Sequence, residues 1–575
     1  MQTTNINDDR NNGRNDDGFG RRSTAYLWAV CRSRWLAILA LGFACLLVMP
    51  IISVALSVFS SDDGTIAHLS RTVLPNFLAN TVLLVVGVGL GVGVLGTTTA
   101  WLVSMCDFPG RRFFEWALII PLALPAYILA YAYTDLLSHP GLVQTTLREV
   151  TGWGPRDYWF PNVRSVGGAT VMFILVLYPY VYLLARSAFL EQSTCYTEVS
   201  RTLGRSPLSS FIEISLPLAR PAIAGGVALA LMETLADFGT VSHFGVQTFT
   251  TGIYRAWLSM DDLVAAGQLA TMLLAVVLTV VVVERMERRR VSYFNSQRVR
   301  DLPRYNLTGA RAWLAFTACL LPVLFGFLVP VLVLLNLHII GGHELFSERY
   351  ARLIGNSLTL GALAAVTAII IAVVIAYAAR LTPGWLSEAA GRLANLGYAV
   401  PGSVIAIGIL LPLAVFDNAI DGFMRSTFGI STGLLLTGSI AAMVLAYVIR
   451  FMAVALNTVE ASLGKIPPSM DAASRTLGQT QMGTLWRVHL PLISGGLLTA
   501  GLMVFVDVMK ELPATLIMRP FNYDTLAVQA YRLASDERLA QAATPSLVLV
   551  AAGLIPVIIL SRRIMMTRSG RRVAR

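Results

Sequence analysis

Stretches of about 20 consecutive apolar residues recur along this chain, and no other feature limits its fold so strongly. "LAILALGFACLLVMPIISVALSVF" (36–59), "TVLLVVGVGLGVGVLGTTTAWLV" (81–103) and "AAVTAIIIAVVIAYAA" (364–379) are three of them. A helix of about 20 such residues crosses the ~30 Å hydrocarbon layer with its backbone polar groups paired internally. Soluble domains average about 25% charged residues, whereas here 13% are charged and 55% are hydrophobic. The chain reads as an all-α polytopic membrane protein. Spans are expected near 36–58, 80–104, 114–136, 168–188, 219–238 and 264–284, then near 313–337, 355–379, 392–415, 432–456, 493–512 and 543–561.

A formal charge of +11 raises the question of nucleic acid, and the placement of the charge answers it. Arginines gather in 10–34, 285–311 and 562–575, each beside an apolar run. That is the positive-inside pattern, and it assigns both ends and the 285–311 segment to the cytoplasm. The polar opening, 1–22, is expected to be disordered. It does not read as a cleavable signal, because the apolar run starting near 36 is longer than an h-region is expected to be. The five cysteines and six histidines are scattered, so neither a disulfide framework nor a metal site is implied.

The second half of the chain repeats the first. Asn80-Thr81 opens the second span and Asn356-Ser357 the eighth, 276 residues on, and Pro125 answers Pro401 at the same offset. Both prolines are expected to kink their helices. "METLADFGT" (232–240) answers "VDVMKELPAT" (506–515), setting Glu233 against Asp507 and Asp237 against Glu511. The halves are 23–284 and 312–575, joined by a basic linker, 285–311. Six spans each run them in the same direction, a parallel repeat about an axis along the membrane normal. Gly87, Gly91, Gly89 and Gly93 are expected to let helices approach closely.

Each half also carries a polar insert on the cytoplasmic side: "EVSRTLGRSPLSSFIEISLP" (198–217) and "AASRTLGQTQMGTLWRVHLP" (472–491). Each reads as a short helix, a glycine that permits a left-handed turn, a second short helix and Leu-Pro at the start of the next span. The bland reading is an amphipathic loop on the headgroups. Two copies of one spacing suggest instead two identical partners gripping from below.

The pattern resembles the EAA loop of ABC importer permeases: Glu-Ala-Ala, three residues, Gly, nine residues, Ile, one residue, Leu-Pro. In the first copy Glu198, Gly204, Ile214, Leu216 and Pro217 are in register. In the second, Gly478, Val488, Leu490 and Pro491 are, while Ala472 stands in the glutamate position and Asp471 lies one residue early. The resemblance implies a MetI-like type I permease fold and coupling of both inserts to two copies of an ATPase subunit. It further implies a periplasmic binding protein docking on external loops 137–166, 239–263 and 517–541, in a bacterial inner membrane. ATP and magnesium would belong to the partner. This chain has no phosphate-cradling GxxxxGK[ST] loop and is expected to need no cofactor of its own.

Four acidic residues fall within spans: Glu233, Asp237, Asp507 and Glu511. The members of each pair are four apart and are expected to share a helix face. At 1.5 Å per residue they sit about 18 and 24 Å along their helices. Facing lipid, each would cost about 2.5–3.5 kcal/mol, so they face one another, a partner or water. Lys510 offers Asp507 a structural ion pair at i, i+3, which is the rival to a pathway role. Carboxylates suit a hard cation. "ADFGTVSHFGVQTFTTGIYRAW" (236–257), the basic linker and the fused halves resemble permeases of ferric iron importers; those for thiamine, sulfate or polyamines share the loop and layout. An ion-coupled secondary carrier would have no use for paired inserts, and a membrane enzyme would need clustered catalytic groups.

Overall fold

The computed structural model describes residues 17–60, 64–191, 204, 206–289, 304–341 and 347–573. Among them, eleven helices are long and apolar enough to cross a membrane, and the bent pair Arg111–Ala123 and Ala126–Thr151 makes twelve if counted as one span. Every expected span overlaps one of these. The first helix begins at Asp17, inside the segment expected to be disordered; residues 1–16 lie outside the described residues.

The two repeated prolines do more than kink. Each ends a 3-10 turn, Ile120–Ala123 in the first half and Asn395–Ala399 in the second. Each then caps a new helix, Ala126–Leu137 and Gly402–Phe428. Leu124 and Val400, directly before them, are extended, with ψ of 118° and 125°. Proline pushes its predecessor out of the helical region, so the third and ninth spans are broken rather than bent.

Leu216-Pro217 and Leu490-Pro491 also behave differently from a simple helix start. Each follows a π-helical turn, Phe211–Ser215 and Leu485–His489, and the helix runs on through it. The same arrangement, Leu324–Leu328 before Val329-Pro330, lies in the seventh span. Proline has no N–H to donate and crowds the preceding turn. Widening that turn accommodates the ring without breaking the rod.

The halves are interlocked. The first span, Trp35–Ser57, packs against Glu348–Leu381, Trp385–Ala394 and Gly402–Phe428 of the second half. The seventh, Ala310–Ile340, packs against the broken third span of the first half. Tyr133 Oη donates to Phe325 O at 2.7 Å across that contact. The opening span of each half thus packs on the other half as well as on its own.

Inside the first half, Leu74–Met105 and Val166–Glu191 make the most extensive contact. Gly87 and Gly91 face the second of these helices, where a Cβ on Gly87 would meet Thr170 at 2.9 Å and one on Gly91 would run into Ile174. Gly89 and Gly93 face Leu216–Ala236 with ordinary clearance, 3.6 Å to Leu231 and Val227. One turn further along, a Cβ on Gly96 would meet Val181 at 2.6 Å and the Tyr178 carbonyl at 2.9 Å. Gly96→Leu is therefore expected to cost about 1–3 kcal/mol by overpacking. It should lower the thermal midpoint of the detergent-solubilised protein, and Gly93→Ala should leave it nearly unchanged.

Candidate functional site

Two helices carry the repeated acids, Leu216–Ala236 and Leu490–Lys510. Each stops one residue short of its second acid. Asp237 and Glu511 lie just past the helix ends in extended conformation, with ψ of 138° and 118°. They therefore do not share a helix face with Glu233 and Asp507. Their carboxylates cap the short helices that follow instead. Asp237 Oδ1 accepts the Thr240 N–H at 2.8 Å, and Glu511 Oε1 accepts the Ala514 N–H at 3.1 Å. An acidic side chain at a helix N-terminus satisfies a donor that has no partner within the helix.

All four acids line one cavity of about 310 Å³ between the halves. Its walls obey the repeat: Leu122 and Tyr398 are 276 residues apart, and Val176 and Arg450, like Tyr180 and Val454, are 274 apart. The cavity sits on the pseudo-twofold relation between the halves, and the broken third and ninth spans open beside it.

Its electrostatics differ from the expectation. No ion pair within 4.0 Å joins Lys510 to Asp507 among the described residues, although Lys510 lines the same cavity. The paired cation is Arg450, from the tenth span, Ile440–Leu463. Its Nε lies 3.2 Å from Glu511 Oε2 and its Nη2 3.6 Å from Glu233 Oε2, so one guanidinium bridges the two halves. Comparing the halves passes over this residue because its counterpart is Val176. The signal was an arginine alone in the apolar run "AAMVLAYVIRFMAVAL" (441–456), which marks a functional position by default.

A second cavity, of about 350 Å³, is lined by Phe238, Tyr254 and Tyr531 and shares no lining residue with the first. Phe238 stacks on Tyr254 at 3.7 Å between centroids, Tyr254 Oη donates to Pro513 O, and Ser242 Oγ meets Tyr531 Oη at 3.0 Å. The latter two bonds also cross between halves. Each of the expected external loops carries a helix: Leu142–Thr151, Phe249–Leu258 and Leu526–Ser535. The repeated asparagines anchor two of them. Asn80 Nδ2 donates to Gln247 O at 2.9 Å, and Asn356 Nδ2 donates to Asp524 O at 3.0 Å.

The second insert folds as its spacing predicts. Pro468–Thr476 is helical, Gly478 is left-handed at φ 78°, and Gln481–Thr484 leads through the π turn into the span. Ser474 Oγ and Thr484 Oγ1, 2.8 Å apart and buried, hold the two arms together. Ala472, in the glutamate position, makes no charged contact. Asp471 makes one, with a hydrogen bond beside it: its Oδ2 is 2.9 Å from Arg380 Nη2 and its Oδ1 is 2.6 Å from His489 Nε2. Arg380 also donates to the Leu463 and Ile466 carbonyls, fastening the insert to the end of the eighth span. Val488 and Leu490 lie on the helical path out of the insert, and Leu477 at its tip is 81% exposed. In the first insert Gly204 is left-handed at φ 71°, and Ile214, Leu216 and Pro217 occupy the matching path. Glu198 lies outside the described residues.

Two segments, 93–291 and 368–575, each match the family described as binding-protein-dependent transport system inner membrane component. The chain is 28% identical over 537 residues to the Fe(3+)-transport system permease protein FbpB 2 of Haemophilus influenzae, covering 92% of this chain and 98% of that one. It is 25% identical over 516 residues to the ferric transport system permease protein FbpB of Actinobacillus pleuropneumoniae, covering 85% and 71%. A shorter similarity, 29% over 154 residues, relates it to the sulfate transport system permease protein CysT of Salmonella typhimurium, covering 26% and 51%.

Removing the carboxylate from the second insert should release it from the bundle. Asp471→Ala is expected to cost about 1.5–3 kcal/mol, the usual worth of hydrogen bonds to charged groups. Faster protease cleavage within 464–484 would report the loss, and Ala472→Glu should leave that cleavage rate unchanged.

Proposed function

We propose a function that proceeds from one premise: the chain belongs to the family of binding-protein-dependent transport system inner membrane components, and it is the permease subunit of an ABC importer. Its cargo is ferric iron, received from a periplasmic solute-binding protein. The power comes from two copies of a separate ATPase subunit seated against the two inserts. The chain lies in a bacterial inner membrane with both ends in the cytoplasm, and it hydrolyses nothing itself.

The observation that carries the iron reading is the cavity between the halves. Four carboxylates, Glu233, Asp237, Asp507 and Glu511, line it from positions the repeat relates. Among the described residues no three acidic, histidine or cysteine side chains are grouped closely enough to hold a resident metal ion, so the cavity reads as a passage rather than a fixed metal site. Hard cations prefer oxygen ligands, and similarity to ferric permeases along most of the chain supports the same cargo. The inserts support the coupling role. Each turns on a left-handed glycine, one per half, and each continues as a rod into the helix that bears the acids. A push on an insert would reach the cavity along a single helix. A sulfate-class anion is the second reading, favoured by Arg450 and Lys510 in the same cavity.

Uptake of radioactive iron and of radioactive sulfate by cells carrying the whole transporter separates the two. Iron uptake is expected, and Glu233→Gln with Asp507→Asn should reduce it at least about tenfold, which is roughly 1.4 kcal/mol or more in the transport barrier. Sulfate uptake with iron excluded would overturn the cargo assignment.

Gly204→Leu and Gly478→Leu force a branched side chain into left-handed backbone, at about 1–2 kcal/mol each. Each variant should remain in the membrane and lose ATP-driven uptake. The purified chain alone should show no ATP hydrolysis, which should appear only after the ATPase subunit is added.

A further inference from the structure

The acids of the inner cavity obey the repeat, and Arg450, the base that pairs with two of them, does not. Arg450 answers Val176, and Gly402 answers Ala126. The two departures are coupled in space. A Cβ on Gly402 would lie 2.8 Å from Arg450 Nη1 and would run into Glu511 Oε1. The second half therefore has an arginine where the first has valine, and a glycine where the first has alanine, so that the guanidinium has somewhere to lie.

Arg450 treats its two carboxylates differently. Glu511 is 4% exposed, lies 3.2 Å from Nε and also accepts the Ala514 N–H, so it is fixed from two sides. Glu233 is 35% exposed, lines the cavity, and lies 3.6 Å from Nη2. The third nitrogen, Nη1, is buried with no hydrogen-bond partner among the described residues. A guanidinium stays protonated under all working conditions. It is firmly held by its own half, loosely paired to the other, and incompletely satisfied.

We propose that Arg450 is a tethered counter-cation, which neutralises Glu233 while the cavity is empty and yields Glu233 to a hard cation when cargo arrives. The inference rests on reading this cavity as the passage for such a cation. A metal ion of higher charge competes for the exposed carboxylate, and the arginine falls back on Glu511 alone. Loading thereby removes one of the links between the halves, the contact at 3.6 Å. Arg450 is a positioning residue in this scheme, setting how tightly the empty cavity takes its cargo.

The test uses the full chain in lipid nanodiscs with terbium(III) as a hard trivalent probe. Tyr180 and Tyr398 line the cavity, so a bound ion should show tyrosine-sensitised luminescence. Arg450→Gln should tighten terbium binding about tenfold, a change of roughly 1.4 kcal/mol. Arg450→Lys keeps the charge without the two-pronged fork and should fall between the two; it carries the test alone should Arg450→Gln not fold. Glu233→Gln should weaken binding in every background. Wild-type affinity in Arg450→Lys and in any folded Arg450→Gln, with Glu233→Gln still damaging, would overturn the counter-cation and leave the passage standing. Luminescence indifferent to Glu233→Gln would overturn the cation passage itself, and this inference with it.

Discussion

Charges inside a bilayer-spanning bundle must be paired, and the rest of this architecture follows from how that is done. An isolated buried carboxylate or guanidinium is expensive, and a buried pair is tolerable only when its remaining hydrogen bonds are met. Glu511 meets the condition with Arg450 on one oxygen and a backbone N–H on the other. Asp237, in no ion pair among the described residues, uses the Thr240 and Val241 N–H groups and the Thr240 hydroxyl at the start of Gly239–His243. Both solutions need a helix to stop inside the bundle and another to begin. The breaks at 236–239 and 510–513 are thus the means by which acids are held there, and irregular backbone at such depth is tolerated because it lines a cavity.

The repeat sets the frame and its violations set the chemistry. Paired prolines, asparagines, glycines and acids keep the halves alike in path, from the broken third and ninth spans to the asparagine-anchored helices Phe249–Leu258 and Leu526–Ser535. Val176 against Arg450, Ala126 against Gly402 and Leu122 against Tyr398 make the two sides of one cavity unlike. The inserts differ as well. Asp471, His489 and Arg380 form a hydrogen-bonded clamp in the second half, where the corresponding residues of the first are Thr197, Ser215 and Ser104. A transporter built on two equivalent halves still presents a different surface to its cargo from each side.

The span count, the parallel repeat, the left-handed glycines and the relation of the four acids by the repeat were legible in the sequence, because each depends on local periodicity or on a spacing that recurs. What escaped depends on neighbours distant in the chain. An i, i+4 spacing promised a shared helix face for Glu233 and Asp237, but the helix ends between them to free a cap. Lys510 was the near base for Asp507, yet Arg450, some sixty residues from Glu511, supplies the cation that is paired. Proline chemistry was half legible. A ring without an N–H foretold disruption at 125 and 401 and a plain helix entry at 217 and 491; the first pair breaks its helices cleanly, whereas the second follows a widened turn.

The crossing of the opening spans bears on how the molecule is made. Trp35–Ser57 is synthesised some three hundred residues before the second-half helices, between 348 and 428, that cover it together with Leu263–Arg289 of its own half. Until then its future interface must be clothed in lipid or shielded by the insertion machinery. Maturation of the two bundles is therefore a single joint event: neither can reach its final packing as an independent nascent unit, however alike their amino-acid patterns.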